Sequence, residues 1–193
     1  MNKLHIPQDA LNEHKKVWFE KVAKVLNKGV KTGYLKGCRC SLKHEKEIMC
    51  VLEDNLEEIL LGRPEQLEVI KERIEKIKIR LPKKSKLYHV LPRVFNYSLF
   101  RDTGSLSGSS DEKVKWGAFK YLKYLDIKSC PYCNRHYTLT LKVSRTNEDG
   151  KSKTEKTIKP ELDHFFSKTA YPYLAISLYN LIPSCTLCNC RLK

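Results

Sequence analysis

Two cysteine pairs carry the strongest chemical signal in this 193-residue chain. Cys130 and Cys133 stand in Cys130-Pro131-Tyr132-Cys133-Asn134, and Cys185 and Cys188 in Cys185-Thr186-Leu187-Cys188-Asn189. Thiolates on either side of a tight turn reach one ion at about 2.3 Å, and four of them fill a tetrahedral shell with no position left for substrate. The pattern predicts a structural zinc site. Between the pairs lies Glu161-Leu162-Asp163-His164-Phe165, and Tyr179-Asn180-Leu181-Ile182-Pro183-Ser184 precedes the second pair. An adjacent carboxylate and imidazole, held near the thiolates by the zinc, suggest a second metal centre that is catalytic. His136, beside the first pair, is a rival base or a substitute zinc ligand, although four cysteines already suffice. Cys38-x-Cys40 has the wrong spacing for a zinc knuckle and reads as ordinary free cysteine.

The elements that must hold these residues are read from hydrophobic periodicity. From Gln8 to Lys28, Leu11, Trp18, Val22, Val25 and Leu26 recur at helical spacing, with Asp9 near the start and Gly29 as the stop. Lys31 to Lys43 has no clear period and reads as a loop. A second helix is expected from His44 to Leu61, ended by Gly62 and Pro64, and a third starts at Pro64 with Leu67, Ile70, Ile74 and Ile77 on one face. The very short turn between them predicts an antiparallel helical hairpin. Leu91 to Tyr97 is expected to pack the helical part against the zinc part, and the Gly- and Ser-rich stretch from Arg101 to Asp111 reads as a flexible loop. Asp111 to Leu125 should form a helix whose Trp116, Phe119 and Leu122 support the first cysteine pair.

Arg135 to Val143 and Lys156 to Leu162 read as two strands joined by a turn at Asn147-Glu148-Asp149-Gly150, a hairpin that brings the first pair and Asp163-His164 into one unit. Pro172 to Leu181 is a short connecting helix or extended turn, and a helix starting near Ser184 or Cys185 completes a ββα arrangement. The fold class is therefore α+β, with a mainly helical region over 1–128 and a zinc-bearing ββα module over 129–193.

Hydrophobic residues make up 41% of the chain, enough for a packed core. The formal net charge is +15, and the commonest physical use of such an excess is neutralising phosphates. Lys78, Arg80, Lys83, Lys84 and Lys86 form a basic run that reads as a phosphate-contacting strip, with a solvated face as the plainer alternative. No apolar run approaches the roughly twenty residues of a membrane-spanning helix, and Met1 to Gln8 is not a signal peptide. Paired cysteines without a signal point to reduced, metal-bound thiols in the cytoplasm.

Asp163-His164, then Asn180-Leu181, then Cys185-x-x-Cys188-Asn189-x-x-x-Lys193 resembles the HNH endonuclease motif in its zinc-stapled form, with His164, Asn180 and Asn189 at the three signature positions. Ser167 stands three residues after the His, where such motifs often carry Pro. The chain stops at Lys193, one or two turns into the helix expected to carry Asn189, which reads as a truncated form of the module. The resemblance implies a ββα-metal fold and hydrolysis of phosphodiester bonds in DNA. It implies Asp163 and Asn189 as ligands of one Mg²⁺ or Mn²⁺, His164 as general base, and Asn180 as a support bonded across the loop that carries His164. It also implies a place in restriction or anti-phage defence, with the helical region meeting an ATPase or other sensor protein.

An imidazole with an ordinary pKa near about 6.5 can take a proton from water at physiological pH. Arg191 and Lys193, on the helix of Asn189, could hold phosphate alongside Lys83, Lys84 and Lys86. A different class remains open: a non-catalytic zinc-ribbon module that grips nucleic acid or protein through the same cysteines and basic face. A nuclease acting on RNA is a third.

Overall fold

The computed structural model describes residues 4–103, 115–146 and 153–191, and the side chains of 4–103, 115–143 and 157–191. The Gly- and Ser-rich residues 104–111, the expected turn at 147–150 and Lys193 lie outside them. The fold is mixed, mostly helical with small antiparallel sheets. It divides into two compact units, one made of Met1–Ala10, Ser98–Asp163 and Leu181–Lys193, the other of Leu11–Tyr97 and His164–Asn180. Among the described residues no helix is long and apolar enough to cross a membrane.

The unit containing Leu11–Tyr97 is built on α1 (Gln8–Thr32). His14, Trp18, Val22 and Leu26 recur every fourth residue and are buried, so one stripe of α1 faces the core. His14 accepts this position uncharged: burial lowers its pKa to about 3, against a backbone hydrogen bond with Ile176 that works the other way. The helix does not stop at Gly29. A Cβ there would meet the Leu35 Cδ1 atom at 2.8 Å and the Met49 sulfur at 3.0 Å, so Gly29 serves close packing, and the left-handed residue that ends the helix is Gly33 at φ 68°.

The expected loop after it contains a two-residue-per-strand hairpin, β1 (Tyr34–Leu35) with β2 (Cys38–Arg39). Lys36 and Gly37 both have positive φ, 46° and 82°, as a mirror-image hairpin turn requires. The expected helix from His44 to Leu61 is two helices, α2 (Lys43–Asp54) and α3 (Leu56–Leu61). Asn55 interrupts them because its side-chain Nδ2 donates to the Val51 carbonyl at 2.7 Å, offering the backbone an alternative to continued helix. α4 (Pro64–Lys78) begins where Pro64 predicts, with the Arg63 N–H donated to Gln66 Oε1, and packs on α2 and α3.

The basic run beyond α4 is anchored by a buried carboxylate. Glu45 takes the Leu42 N–H at 3.0 Å and the Ser85 hydroxyl at 2.7 Å, tying residue 85 to the start of α2. Two members of the run are paired with acids elsewhere, Lys78 with Glu75 and Arg80 with Glu47, whereas Lys83, Lys84 and Lys86 are exposed. α5 (Leu87–Val94) then buries Leu87, Val90, Leu91 and Val94. Residues 164–180 fold onto this unit through 3₁₀ turns at Pro172–Leu174 and Leu178–Asn180, which contact α3 and α5. Ser177 donates its hydroxyl to the Ile59 carbonyl at the end of that contact.

In the other unit, α6 (Tyr97–Asp102) closes on Gly117, where a Cβ would lie 2.5 Å from the Thr103 carbonyl oxygen. The helix expected from Asp111 runs as α7 (Ala118–Leu125), and residues 115–117 before it are not helical. Phe100, Trp116, Phe119, Tyr121 and Leu122 are buried together, and the Tyr121 hydroxyl donates to the Leu181 carbonyl at 3.2 Å. The expected strand from Arg135 begins only at β3 (Leu141–Thr146), which pairs antiparallel with β4 (Lys153–Ile158) from Leu141↔Ile158 to Thr146↔Lys153. β5 (Glu161–His164) comes next as a separate strand and pairs with β6 (Leu181–Ser184). Where a helix is expected from Ser184 or Cys185, the last described residues form a π-helical turn over Leu187–Arg191.

Candidate metal centre

The four cysteines that the spacing singled out converge. The Sγ atoms of Cys130, Cys133, Cys185 and Cys188 all lie within 4.8 Å of one another and could hold a metal ion such as zinc. An ion bound tetrahedrally at about 2.3 Å from each sulfur sets sulfur–sulfur separations of about 3.8 Å. Cys133 and Cys185 stand at 3.9 Å. The donor set therefore fits the ion in number, and this pair fits it in spacing.

Each pair is shaped by a tight turn. In the first, the Cys130 N–H donates to the His136 carbonyl at 2.8 Å, the Asn134 N–H returns to the Cys130 carbonyl at 2.7 Å, and Asn134 takes φ 50°, which its short polar side chain tolerates. In the second, the Cys188 N–H points at the Cys185 sulfur at 3.4 Å and the Asn189 N–H bonds the Cys185 carbonyl at 3.0 Å. Amides directed at sulfur favour thiolate.

The thiols are driven apart in acidity. His136 Nδ1 lies 3.5 Å from the Cys133 sulfur, and this hydrogen bond, helped by the backbone N–H groups of Arg135 and His136, holds Cys133 down to about 5. His136 thus serves the thiolate beside it. Cys188 is pushed up to about 12, chiefly by burial and then by bonding to the neighbouring thiols. Burial also opposes ionisation of Cys130, but the backbone groups of Cys185, Cys133 and Tyr132 bring it below its ordinary value. Four such groups ionise together only around a cation, so binding a dication releases protons. Cys38, Cys40 and Cys50 stay apart as free cysteines, and burial raises the Cys40 thiol to about 11.

Asp163 and Asn189 belong to the same unit as the cysteines. The Tyr132 hydroxyl, from between the first two cysteines, donates to Asp163 Oδ2 at 2.7 Å. Glu161 sits two residues before Asp163 in β5, hence on the same face of the strand, and its Oε2 accepts the side-chain N–H of Asn189. With that nitrogen engaged, the amide oxygen is the atom Asn189 can offer to a cation. The Cys190 thiol also donates to Glu161 Oε2, at 3.3 Å. Tyr132 and Glu161 were not singled out from the sequence. Their signals were proximity alone, one inside the knuckle and one at the i−2 position of a strand.

His164 and Asn180 belong to the other unit. His164 is buried, its Nε2 lies 3.0 Å from the Ala175 carbonyl, and the Tyr97 ring meets it edge-on with centroids 4.5 Å apart. A carbonyl only accepts, so Nε2 carries a proton, and in the neutral form of the ring the lone pair is on Nδ1. Asn180 is fully buried and its amide is saturated: Oδ1 accepts the Phe166 N–H at 2.6 Å, and Nδ2 donates to the carbonyls of Phe166 at 3.1 Å and Leu174 at 2.8 Å. Its own carbonyl takes the Phe165 N–H at 3.0 Å. The loop after His164 is thereby clamped to the turn that supplies the Ala175 carbonyl.

Asn180→Ala removes the side-chain partner of the buried Phe166 N–H and carbonyl, each costing about 1–3 kcal/mol when orphaned, while the Leu174 carbonyl keeps the Ser177 N–H at 3.2 Å. We expect at least about 2 kcal/mol lower stability, read as a fall in the denaturant midpoint. An unaltered midpoint would show that the amide does not clamp this loop.

Of the remaining candidate residues, Lys83, Lys84, Lys86 and Arg191 are exposed, the last on the π turn of Asn189. Comparison of the chain with protein-family models, with curated proteins and with solved structures finds no match.

Proposed function

We propose that the protein is a metal-dependent endonuclease of the HNH type that hydrolyses phosphodiester bonds in DNA, with zinc in the four-cysteine site as a structural staple. The observation that carries this reading is the bonding of His164 and Asn180. A general base needs one ring nitrogen unprotonated and the ring held in place. The hydrogen bond to Ala175 assigns the basic lone pair of His164 to Nδ1, and the Asn180 amide holds the loop on either side of that bond. In the proposed reaction Nδ1 takes the proton of the attacking water.

Asp163 and Asn189 would hold Mg²⁺ or Mn²⁺, oxygen donors being what such hard cations take. When bound, that ion supplies charge stabilisation for the phosphoryl oxygens and the departing 3′ oxygen. Tyr132 orients the carboxylate of Asp163, and Glu161 turns the amide of Asn189 so that its oxygen is the donor. Arg191, Lys193, Lys83, Lys84 and Lys86 neutralise phosphates. The reduced thiols suit the cytoplasm, and the helical region offers a surface for an ATPase or sensor of a defence system.

A second reading rests on the four-cysteine cluster, which stands on geometry without the resemblance. It makes the chain a zinc module that binds nucleic acid and turns nothing over. Incubation of supercoiled plasmid with protein of known zinc content, in Mg²⁺ or Mn²⁺ and with a chelator control, separates the two. Metal-dependent nicking is the expected result; plasmid that is bound but stays supercoiled in every metal would establish the module.

The basic strip has its own test. Neutralising Lys83 and Lys84 together by Gln should weaken binding to all DNA sequences alike. The slope of log affinity against log salt should flatten by roughly 2, about 0.9 for each phosphate contact. An unchanged slope in an anisotropy titration across salt would take these lysines out of the interface.

A further inference from the structure

We propose that Phe165 is a stacking platform for an unpaired base, so that the loop beside His164 takes single-stranded or locally opened DNA. This deepens the nuclease reading and rests on its assignment of DNA. Phe165 directly follows His164 and is 57% exposed, unlike its neighbour Phe166, which is buried. Its position is nonetheless fixed. The Phe165 N–H is bonded to the Asn180 carbonyl at 3.0 Å, and its ring meets Phe166 edge-on, with centroids 4.9 Å apart and planes at 78°. A large flat ring packed edge-to-face with one neighbour, bonded through its backbone and open to solvent presents a π face at little entropic cost.

The surroundings are cationic and aromatic by turns. Lys168 is exposed and sits 4.6 Å over the Tyr97 ring, whose edge touches His164. Lys71 lies 5.1 Å from the Phe166 ring and 5.6 Å from that of Tyr171, and its ammonium is further stabilised by Glu68. A ring for a base with the exposed Lys168 ammonium for a flanking phosphate, Lys71 being already paired with Glu68, is the combination that single strands require. A duplex keeps its base faces stacked on one another and could use the lysines but not the ring. An acidic peptide would likewise use the charges and leave the aromatic face without a role. Stacking beside His164 would also draw the adjoining phosphodiester towards the proposed base.

The test is fluorescence anisotropy with a labelled oligothymidylate, the matching duplex and the matching RNA, in chelator so that no cleavage intervenes. Stacking is worth about 1–3 kcal/mol per base, so Phe165→Ala should weaken single-strand binding between about 5- and 150-fold. Phe165→Trp should restore it, Phe165→Leu should not, and duplex binding should move by less than about twofold. Rescue by Leu as complete as by Trp would show a merely apolar contact and overturn the proposal, as would equal losses on duplex. A wild-type preference for the RNA strand would overturn the DNA assignment. Phe165-dependent binding in a protein that cleaves nothing would leave the platform standing while the nuclease reading fell, so the two fail separately.

Discussion

Replacing Cys130 by Ser is expected to empty the four-cysteine site and unfold the unit around it. In small domains, structural zinc contributes on the order of 10–16 kcal/mol of apparent binding free energy, and that energy is folding energy. Cys130 is the most enclosed of the four ligands, with no exposed surface, and its thiolate is favoured by backbone groups from Cys185, Cys133 and Tyr132. A serine oxygen keeps the volume but not the soft donor. Metal analysis should fall from one zinc per chain to well under that figure, and limited proteolysis should open sites between residues 126 and 140. The helices of the other unit, α1 to α5, should keep most of the far-ultraviolet dichroism. Cys50→Ser, on a half-buried cysteine outside the cluster, should leave zinc content unaltered. Stripping the wild type with a strong chelator should reproduce the Cys130→Ser state. Full zinc and an unmoved thermal midpoint in Cys130→Ser would overturn the four-cysteine assignment.

The cysteine cluster was legible because its spacing is local chemistry: two tight turns and four soft donors admit few alternatives, and the fold brings the same four sulfurs together. Helices with a full apolar stripe were equally readable, α4 from Pro64 onward above all. Misreadings occurred where one residue had two physical uses. Gly29 looked like a stop, but it is a glycine because Leu35 and Met49 need its space. Asn55 looked compatible with a continuing helix, but its side chain competes for the Val51 carbonyl. The strand starting at Leu141 was placed too early because Arg135 to Leu139 is as rich in strand formers as β3 itself, while its backbone serves the first cysteine turn.

What periodicity could not reach is partnership at a distance. Asn180 was legible as a support only through the resemblance, and the three bonds that give it that character go to Phe166 and Leu174. Tyr132 and Glu161 orient the two residues assigned to a catalytic cation, yet neither stands at a signature position of a motif. The grouping of residues 164–180 with the helices was also hidden, since it depends on Ser177 and the 3₁₀ turns meeting α3. A consequence for function is that the residues assigned to base and to cation are supported by different sets of contacts, Ala175 and Asn180 for one, Tyr132 and Glu161 for the other. Loss of one set need not mean loss of the other, which makes the roles separable by mutation.

That separation decides how the base should be tested. His164→Ala would remove the ring from beside Tyr97 and orphan the buried Ala175 carbonyl, so lost activity could reflect a loosened loop. His164→Gln is the sharper variant, because its amide N–H can still donate to that carbonyl, whereas no atom of the side chain can take a proton from water near neutral pH. General-base catalysis is worth about 10²- to 10⁴-fold. We expect cleavage of supercoiled plasmid to fall by that factor in His164→Gln, with zinc content, thermal midpoint and DNA affinity within error of the wild type. Raising the pH should restore part of the loss, since hydroxide replaces the missing base, while the wild-type rate should level off once the imidazole is neutral. A positioning role would look different: affinity or the Mg²⁺ requirement would move, and the pH profile would keep its shape. Residual cleavage above one tenth of wild type with an unaltered pH profile would remove His164 from the chemistry and return His136, beside Cys133, as the imidazole to examine.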